Sequence, residues 1–304
     1  MPITAPSLLR WQELTLAERA RYLPYTEKAD LPAADFAFAA LYMWDHAYRQ
    51  QLAYFEERAV VRIAGEGEVR YAYPVGTGAY TPLLEALHAE AAAQHMPLVI
   101  VGIPEAALPE ITAQAPFSHT VSEDIYHADY IYEAEALATL AGKKLHAKRN
   151  HINAFSKQHR FELIPISEKT HTVCGDILQK WVDAMPPSPT VAAEQSAILR
   201  GLAAFEELAL EGGVLLVDGE PAAFTIGEAV CGDTFCVHFE KALPTMSTAY
   251  PVINREFVRA VLTRHPAIRY INREDDMGLE NLRRAKLSYS PCRLQRKFIL
   301  TAAT

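Results

Sequence analysis

The sequence has few cysteines and no long apolar run, and each shortage excludes a class of protein. No two cysteines form a C-x-x-C pair and no regularly spaced histidines accompany them, so we expect reduced thiols and no metal site. The cysteines are Cys174, Cys231, Cys236 and Cys292. No apolar run is long enough for a transmembrane helix. Residues 1–4 lack the layout of a signal peptide, so we expect a cytoplasmic protein.

The composition is that of an ordinary globular protein. The chain has 304 residues, of which 50% are hydrophobic and 22% charged, enough for one large or two medium domains. Its net charge of −8 disfavours a general nucleic-acid-binding protein.

The charges are segregated along the chain. Residues 136–161 and 281–304 contain no acid, yet they hold 12 of the 29 basic residues. The remainder has 17 basic against 37 acidic residues, a net charge of −20. We expect the two segments to form one positive surface that receives a polyanion or an anionic substrate. The alternative is two separately solvated helix faces.

Hydrophobic periodicity predicts two similar halves, joined by a long helix from Glu135 to about His159. The elements predicted in the second half are strand 161–166, helices 173–184 and 194–210, hairpin 213–217 and 222–228, strand 233–241, helix 250–264, strand 268–272, helix 279–287 and strand 292–300. This order resembles that of an N-acetyltransferase-like (GNAT) domain.

We therefore predict an α/β (α+β) protein of two tandem GNAT-like acyltransferase domains. Each domain is a mixed, mostly antiparallel sheet flanked by helices. The predicted boundaries are 1–135 for the first domain, 136–160 for a linking basic helix and 161–304 for the second domain.

The segment 270–291 (YINREDDMGLENLRRAKLSYSP) is the most informative, because a strand ends in three adjacent carboxylates and runs into a basic amphipathic helix. We expect Asp275 or Asp276 to cap the first helical amides. Leucines mark one face of this helix, and basic residues fall elsewhere on it. The alternative is a capped surface helix with the charges that the helix dipole favours.

Three phrases carry a resemblance to a known family. They are KKLHAKRNHINAFSK at 143–157, HFEK at 238–241 followed by YPVINRE at 250–256, and YINREDDMGLENLRRAKLSYSPCRLQRK at 270–297. Together they resemble the bacterial phosphatidylglycerol lysyltransferase C-terminal-like family. The resemblance spans roughly residues 36–298 and implies two tandem GNAT-like domains. It also implies kinship with enzymes that move an aminoacyl group from aminoacyl-tRNA to a lipid or a peptidoglycan peptide.

The loops that would bind a cofactor favour an aminoacyl donor over acyl-coenzyme A. GNAT acetyltransferases hold the coenzyme A pyrophosphate on the backbone amides of a glycine-rich loop before a helix. The corresponding loop here, 242–249, has no glycine, although the amides of Ser247 and Thr248 remain available to a phosphate. In the first half, the loop 75–82 carries Gly76 and Gly78 between a strand and a helix, which is compatible with an anion-binding loop. The alternative is a simple turn.

Aminoacyl transfer requires a positioned nucleophile, a base and a stabilised oxyanion. Glu240, Asp275 and Tyr289 are the predicted catalytic residues, the carboxylates as bases or ammonium ligands and Tyr289 as a hydrogen-bond donor. The predicted substrate-binding residues are His238, Lys241, Asn254, Asn272, Glu274, Asp276, Lys148, Arg149, Arg283 and Lys286. The alternatives are a satisfied strand histidine at position 238 and a surface pair at positions 240 and 241.

These inferences lead to an acyl- or aminoacyltransferase that moves an activated acyl group to an amine or hydroxyl acceptor. Aminoacyl-tRNA is the expected donor, and the acceptor is a small molecule or a peptide amine. The first alternative is an acyl-coenzyme A-dependent N-acyltransferase, and the second is a non-catalytic protein that binds an anionic ligand. The sequence leaves the oligomeric state open.

Overall fold

The computed structural model describes residues 9–65 and 68–303, which divide into two compact units. One unit comprises 9–31, 35–128 and 295–303 of the described residues, and the other comprises Pro32–Ala34 and Asp129–Leu294. Within the described residues, no helix is long and apolar enough to cross a membrane.

The first unit is built on one mixed sheet of eight strands, which neighbour one another in the order β1-β2-β3-β4-β6-β15-β7, with β5 paired to β3. Its strands are β1 (Gln12–Glu13), β2 (Gln50–Phe55), β3 (Arg58–Ala64), β4 (Val69–Ala72), β5 (Val75–Gly76), β6 (Leu98–Pro104), β7 (Thr120–Glu123) and β15 (Lys297–Ala302). Its helices are α1 (Arg19–Ala29), α2 (Phe38–Tyr48), α3 (Thr81–Ala93) and α4 (Leu108–Gln114).

The second unit is built on a sheet of seven strands in the order β14-β8-β13-β12-β11-β10-β9. Its strands are β8 (Asp129–Glu133), β9 (Phe161–Pro165), β10 (Glu211–Val217), β11 (Glu220–Cys231), β12 (Thr234–Ala242), β13 (Tyr270–Asn272) and β14 (Arg293–Gln295). Its helices are α5 (Ala134–Thr139), α6 (His146–Gln158), α7 (Glu168–Asp183), α8 (Pro189–Ala203), α9 (Tyr250–Arg264) and α10 (Glu280–Leu287). The pairs β9–β10, β10–β11 and β11–β12 are antiparallel, whereas β12 and β13 are parallel.

Local sequence signals explain the elements that frame the site. Asp218 and Gly219 both have positive φ, 53° and 90°, and they form the predicted tight turn between β10 and β11. Pro251 lies in the first turn of α9, where its missing N–H has no helical acceptor to lose. The buried face of α9 is apolar except for Asn254, which is 1% exposed.

Two predicted elements are wrong in their connection or extent. The strand predicted at 292–300 is two strands, β14 in the second sheet and β15, which inserts between β6 and β7 in the first sheet. The long helix predicted from Glu135 is two helices, α5 and α6. The helix ends after α5 because Leu140 and Gly142 adopt positive φ, 53° and 84°, which an α-helix does not continue through.

Candidate active site

The site lies where β12 and β13 separate. The two strands pair only through Thr234–Cys236 and Tyr270–Asn272. Further along β12 the pairing with β11 shifts, so that Val237 lies opposite Gly227 and Phe239 lies opposite Ile226. His238 is therefore the extra residue of a β-bulge.

This bulge changes the direction in which Glu240 points. Val237 packs in the core formed with α9, and regular alternation would send Glu240 to the opposite face. After the extra residue, Glu240 instead contacts Asn254 on α9. Lys241 points the other way, where its Nζ lies 2.7 Å from Glu194 on α8 and 3.7 Å from the Trp181 ring centroid.

Glu240 is the centre of a buried polar cluster. Arg273 Nη2 donates to its Oε1 at 3.3 Å, and Asn254 Nδ2 donates to its Oε2 at 3.3 Å. The ring of Tyr289 lies beneath two cations, 4.8 Å from Arg273 Cζ and 4.1 Å from Lys148 Nζ. We call these five residues the Glu240 cluster.

Burial governs the protonation of the Glu240 cluster. It raises the pKa of Glu240 against the opposing attraction of Arg273, and it lowers the pKa of Lys148 with the help of Arg273. Burial also raises the pKa of Tyr289 to about 12, so its hydroxyl keeps its proton at neutral pH. The cluster therefore combines a carboxylate with raised basicity, a hydroxyl donor and fixed positive charge.

Two atoms of the Glu240 cluster lack a hydrogen-bond partner among the described residues. They are Arg273 Nη1, a donor, and Asn254 Oδ1, an acceptor, and both are inaccessible to solvent. In each residue, the other terminal atom, Arg273 Nη2 or Asn254 Nδ2, donates a hydrogen bond to one Glu240 oxygen. Because buried polar groups are almost always satisfied, this donor and acceptor next to a carboxylate are suited to a polar ligand.

His238 lies between two glutamates. Its Nδ1 is 2.7 Å from Glu274 Oε1 and its Nε2 is 3.1 Å from Glu228 Oε1, while Cys236 Sγ is 3.6 Å from Nδ1. The histidine side chain is 1% exposed and has partners at both ring nitrogens. Burial lowers its pKa, but its neighbours outweigh that effect and raise the pKa well above the usual value. This geometry agrees with the satisfied-histidine alternative.

The segment after β13 is held by its own polar groups. Asp276 accepts from Tyr130 Oη at 2.6 Å and Arg283 Nε at 2.8 Å, and Lys286 donates to the backbone carbonyls of Arg273 and Asp275. Burial lowers the pKa of Lys286. These contacts fix the backbone that carries Arg273.

The predicted helix cap is wrong. Asp275 and Asp276 accept the amides of Met277 and Gly278, while α10 begins only at Glu280. The carboxylates therefore close turns before the helix, since each accepts the amide two residues on. Two leucines of the apolar face predicted for this helix, Leu279 and Leu287, are 46% and 50% exposed.

The remaining predicted residues lie outside the Glu240 cluster. Asn272 Nδ2 donates to Asp129 Oδ2 at 2.8 Å and to the Pro32 carbonyl at 2.7 Å, inside the second unit. Arg149 donates to the carbonyls of Leu140 and Gly142. Their predicted substrate roles, and the catalytic role of Asp275, stay predictions.

The basic segments are less uniform than their composition indicates. Arg296 pairs with Glu105 and Glu123 in the first unit, and Lys297 is buried against Asp35 there. Both cations are paired with carboxylates of the first unit. The prediction of one positive surface is therefore wrong for these two residues.

Arg273 is the site residue that the sequence reasoning missed. It stands directly before the three carboxylates, and no local sequence pattern distinguishes it from the other arginines of the segment. Asn254 was predicted, and its signal is a polar residue on the buried apolar stripe of α9. A surface cavity lined by Glu133, Arg269 and Tyr270 includes no residue of the Glu240 cluster.

Mixed sheets flanked by helices, with two neighbouring parallel strands that diverge, agree with the predicted GNAT-like fold. The model of the phosphatidylglycerol lysyltransferase C-terminal family matches residues 28–301. The chain belongs to that family, as its sequence phrases predicted. A search of the curated proteins finds no match.

Solved structures agree with this assignment. A conserved protein of unknown function from Bacteroides thetaiotaomicron is 34% identical, with a TM-score of 0.91 over 97% of this chain and 100% of that one. L-PGS from Bacillus licheniformis is 12% identical, with a TM-score of 0.68 over 96% and 93% of the two chains.

A tandem GNAT protein from the clavulanic acid biosynthesis pathway is 9% identical, with a TM-score of 0.51 over 97% and 99% of the two chains. The similarities to L-PGS and to the tandem GNAT protein concern the fold alone, because both proteins are only distantly related in sequence. They confirm the prediction of two GNAT-like halves.

Proposed function

We propose that this protein is an aminoacyltransferase whose active site is the Glu240 cluster. The observation that carries the proposal is the pair of unpartnered buried atoms, Arg273 Nη1 and Asn254 Oδ1, on either side of the Glu240 carboxylate. An aminoacyl ester has a carbonyl acceptor and an ammonium donor on neighbouring carbons. Arg273 Nη1 suits the carbonyl oxygen, while Asn254 Oδ1 suits the ammonium group. A simple acetyl group has no ammonium group for the second position.

The same residues supply the chemistry of transfer. The acceptor amine or hydroxyl attacks the ester carbonyl, and the bond to the ribose oxygen breaks. Arg273 stabilises the negative charge that develops on the carbonyl oxygen. Glu240 takes the proton of the nucleophile, a step favoured by its raised pKa. Tyr289, whose pKa of about 12 keeps its hydroxyl protonated, donates a hydrogen bond to the leaving ribose oxygen, and the proton taken up by Glu240 passes to that oxygen as it departs.

The placement of α6 supports transfer RNA as the donor. Lys148 on this helix reaches the ring of Tyr289, while Lys143, Lys144 and Lys157 on the same segment are exposed. Exposed lysines next to a reaction centre suit the phosphates of an RNA acceptor stem. The loop at Pro244–Ala249 before α9 has no glycine, which disfavours a pyrophosphate cradle of the coenzyme A type.

The experiment measures loss of labelled amino acid from charged transfer RNA, and its transfer to an acceptor. Acceptor arms contain phosphatidylglycerol vesicles, small amines or peptides, and a parallel donor arm contains acyl-coenzyme A. We expect Glu240→Gln to lower transfer by about 100-fold or more. The control Glu211→Gln, which alters an ion pair with Arg264, is expected to leave the rate unchanged.

Three results would overturn the proposal. Equal rates for wild type and Glu240→Gln would remove the base from the mechanism. Turnover with acyl-coenzyme A but not with charged transfer RNA would identify the first alternative. Binding of either donor without turnover would identify a non-catalytic binding protein.

A further inference from the structure

The residues around His238 form a second cluster on the other face of β12. Cys236 Sγ, His238 Nδ1 and Glu274 Oε1 all lie within 4.8 Å of one another. The separations are 2.7 Å from nitrogen to oxygen, 3.6 Å from sulfur to nitrogen and 3.9 Å from sulfur to oxygen. None of these atoms belongs to the Glu240 cluster.

These separations are close to those of a tetrahedral zinc site. Zinc bonds of about 2.3 Å to sulfur and about 2.0 to 2.2 Å to nitrogen and oxygen imply ligand separations of roughly 3.3 to 3.6 Å. The two sulfur separations come within a few tenths of an ångström of that range. Only the Nδ1 to Oε1 separation must open, by about half an ångström, because two ligands of one zinc ion lie further apart than two hydrogen-bonded atoms.

Glu228 contacts the ring nitrogen of His238 that does not face the other two ligand atoms. A histidine that binds a metal through one nitrogen usually donates its other N–H to a carboxylate, which fixes the ring and raises its basicity. Glu228 Oε1 is 3.1 Å from His238 Nε2, the nitrogen that faces away from Cys236. The ring is therefore oriented to present Nδ1 to the other two ligand atoms.

Access and charge also suit a divalent cation. Cys236 and His238 are buried, but the Glu274 side chain is 27% exposed, so solvent reaches one side of the site. Two carboxylates around one imidazole leave the unmetallated cluster with excess negative charge, which a cation offsets.

We propose that Cys236, His238 and Glu274 bind a zinc-class divalent cation, with Glu228 orienting the histidine. Binding releases the thiol proton of Cys236 and the Nδ1 proton of His238 to solvent, and three metal–ligand bonds form. No ligand changes its oxidation state. The ion would tie β12 to the residue that follows Arg273, and it is independent of the proposed aminoacyl transfer.

The test uses the full chain, purified with a chelator and then titrated with cobalt(II) and with zinc. Wild type should bind one cobalt ion with a thiolate-to-cobalt absorption band, and zinc should displace it. Cys236→Ser should lose the band, and Glu274→Gln should weaken binding. Glu228→Gln should weaken it by about 10- to 100-fold. The control Cys174→Ser alters another fully buried cysteine and should bind as wild type does.

Thermal unfolding of each variant in the absence of metal shows whether it folds, and Glu274→Gln carries the test if Cys236→Ser does not. Failure of wild type to bind cobalt stoichiometrically would overturn the proposal. So would binding that survives both Cys236→Ser and Glu274→Gln. Either result would leave His238 as an imidazolium between two glutamates.

Discussion

Replacing Asp276 by asparagine tests how the segment that carries Arg273 is held. The Asp276 side chain is 4% exposed and accepts hydrogen bonds from Tyr130 Oη, Arg283 Nε and the Gly278 amide at 2.6, 2.8 and 2.9 Å. Asparagine keeps an acceptor for some of these donors but removes the charge. Each carboxylate oxygen accepts two hydrogen bonds, so the asparagine NH2 must face a donor, and the substitution removes the charge together with part of this network.

The expected loss follows from the pKa of Asp276. The hydrogen bond from Arg283 lowers this pKa to about 2, against the opposing effect of burial. An aspartate in the unfolded chain has a pKa of about 3.9, so the difference corresponds to roughly 2.6 kcal/mol at neutral pH. Arg283 is 38% exposed, and solvent screening reduces the expected loss to about 1 to 2 kcal/mol.

Urea denaturation of wild type and Asp276→Asn from pH 7 to pH 3 measures this difference. Because the folded pKa lies below the unfolded one, the stabilisation is present at neutral pH and disappears as the pH falls from about 5 towards 2. The control Glu68→Gln breaks the exposed pair with Arg70 and should change stability by less than about 1 kcal/mol. A loss for Asp276→Asn that is absent at pH 7, or equal at pH 7 and pH 3, would refute the reasoning.

Three further substitutions and one titration test other parts of the second unit. Gly227→Ala should destabilise by about 1 to 3 kcal/mol, because its Cβ would lie 2.1 Å from the Cys236 carbonyl oxygen. Gly175→Ala on α7, where the Cβ meets open space, should stabilise by up to about 1 kcal/mol, and denaturation compares the two. Lys286→Met should lose about 1 to 3 kcal/mol in the same assay, since two backbone carbonyls lose their donor. In carbon-13 NMR, the carboxyl absent from Glu240→Gln should titrate at a higher pH than exposed glutamates do, because burial raises its pKa.

The sequence predicted the elements whose signals are local. The turn at Asp218 and Gly219 needs positive φ at two neighbouring residues, and that pair of residue types favours it. The apolar stripe of α9 and the proline in its first turn are likewise visible in a short window. The GNAT-like order of the second half follows from such signals taken together.

The rest depends on contacts between residues far apart in the chain. The sequence of β15 gives no indication that it pairs with β6, about 200 residues earlier, rather than with strands of its own half. The bulge at His238 is equally invisible, because an extra residue in a strand shows only against its partner. Without the bulge, Glu240 is predicted to share a face with His238.

The divergence of β12 and β13 explains why two polar clusters occupy opposite faces of one sheet. Arg273 and Glu274 are consecutive, and their backbone is bonded to Tyr130 of β8, yet one side chain reaches Glu240 and the other His238. Glu274 has a φ of 58°, a conformation that costs a residue with a side chain about 1 kcal/mol or more. The Asn272 side chain accepts the Glu274 amide at 2.6 Å and stabilises this turn. Strain of this kind persists only where surrounding contacts enforce it, and here it points two charged side chains in opposite directions from the end of one strand.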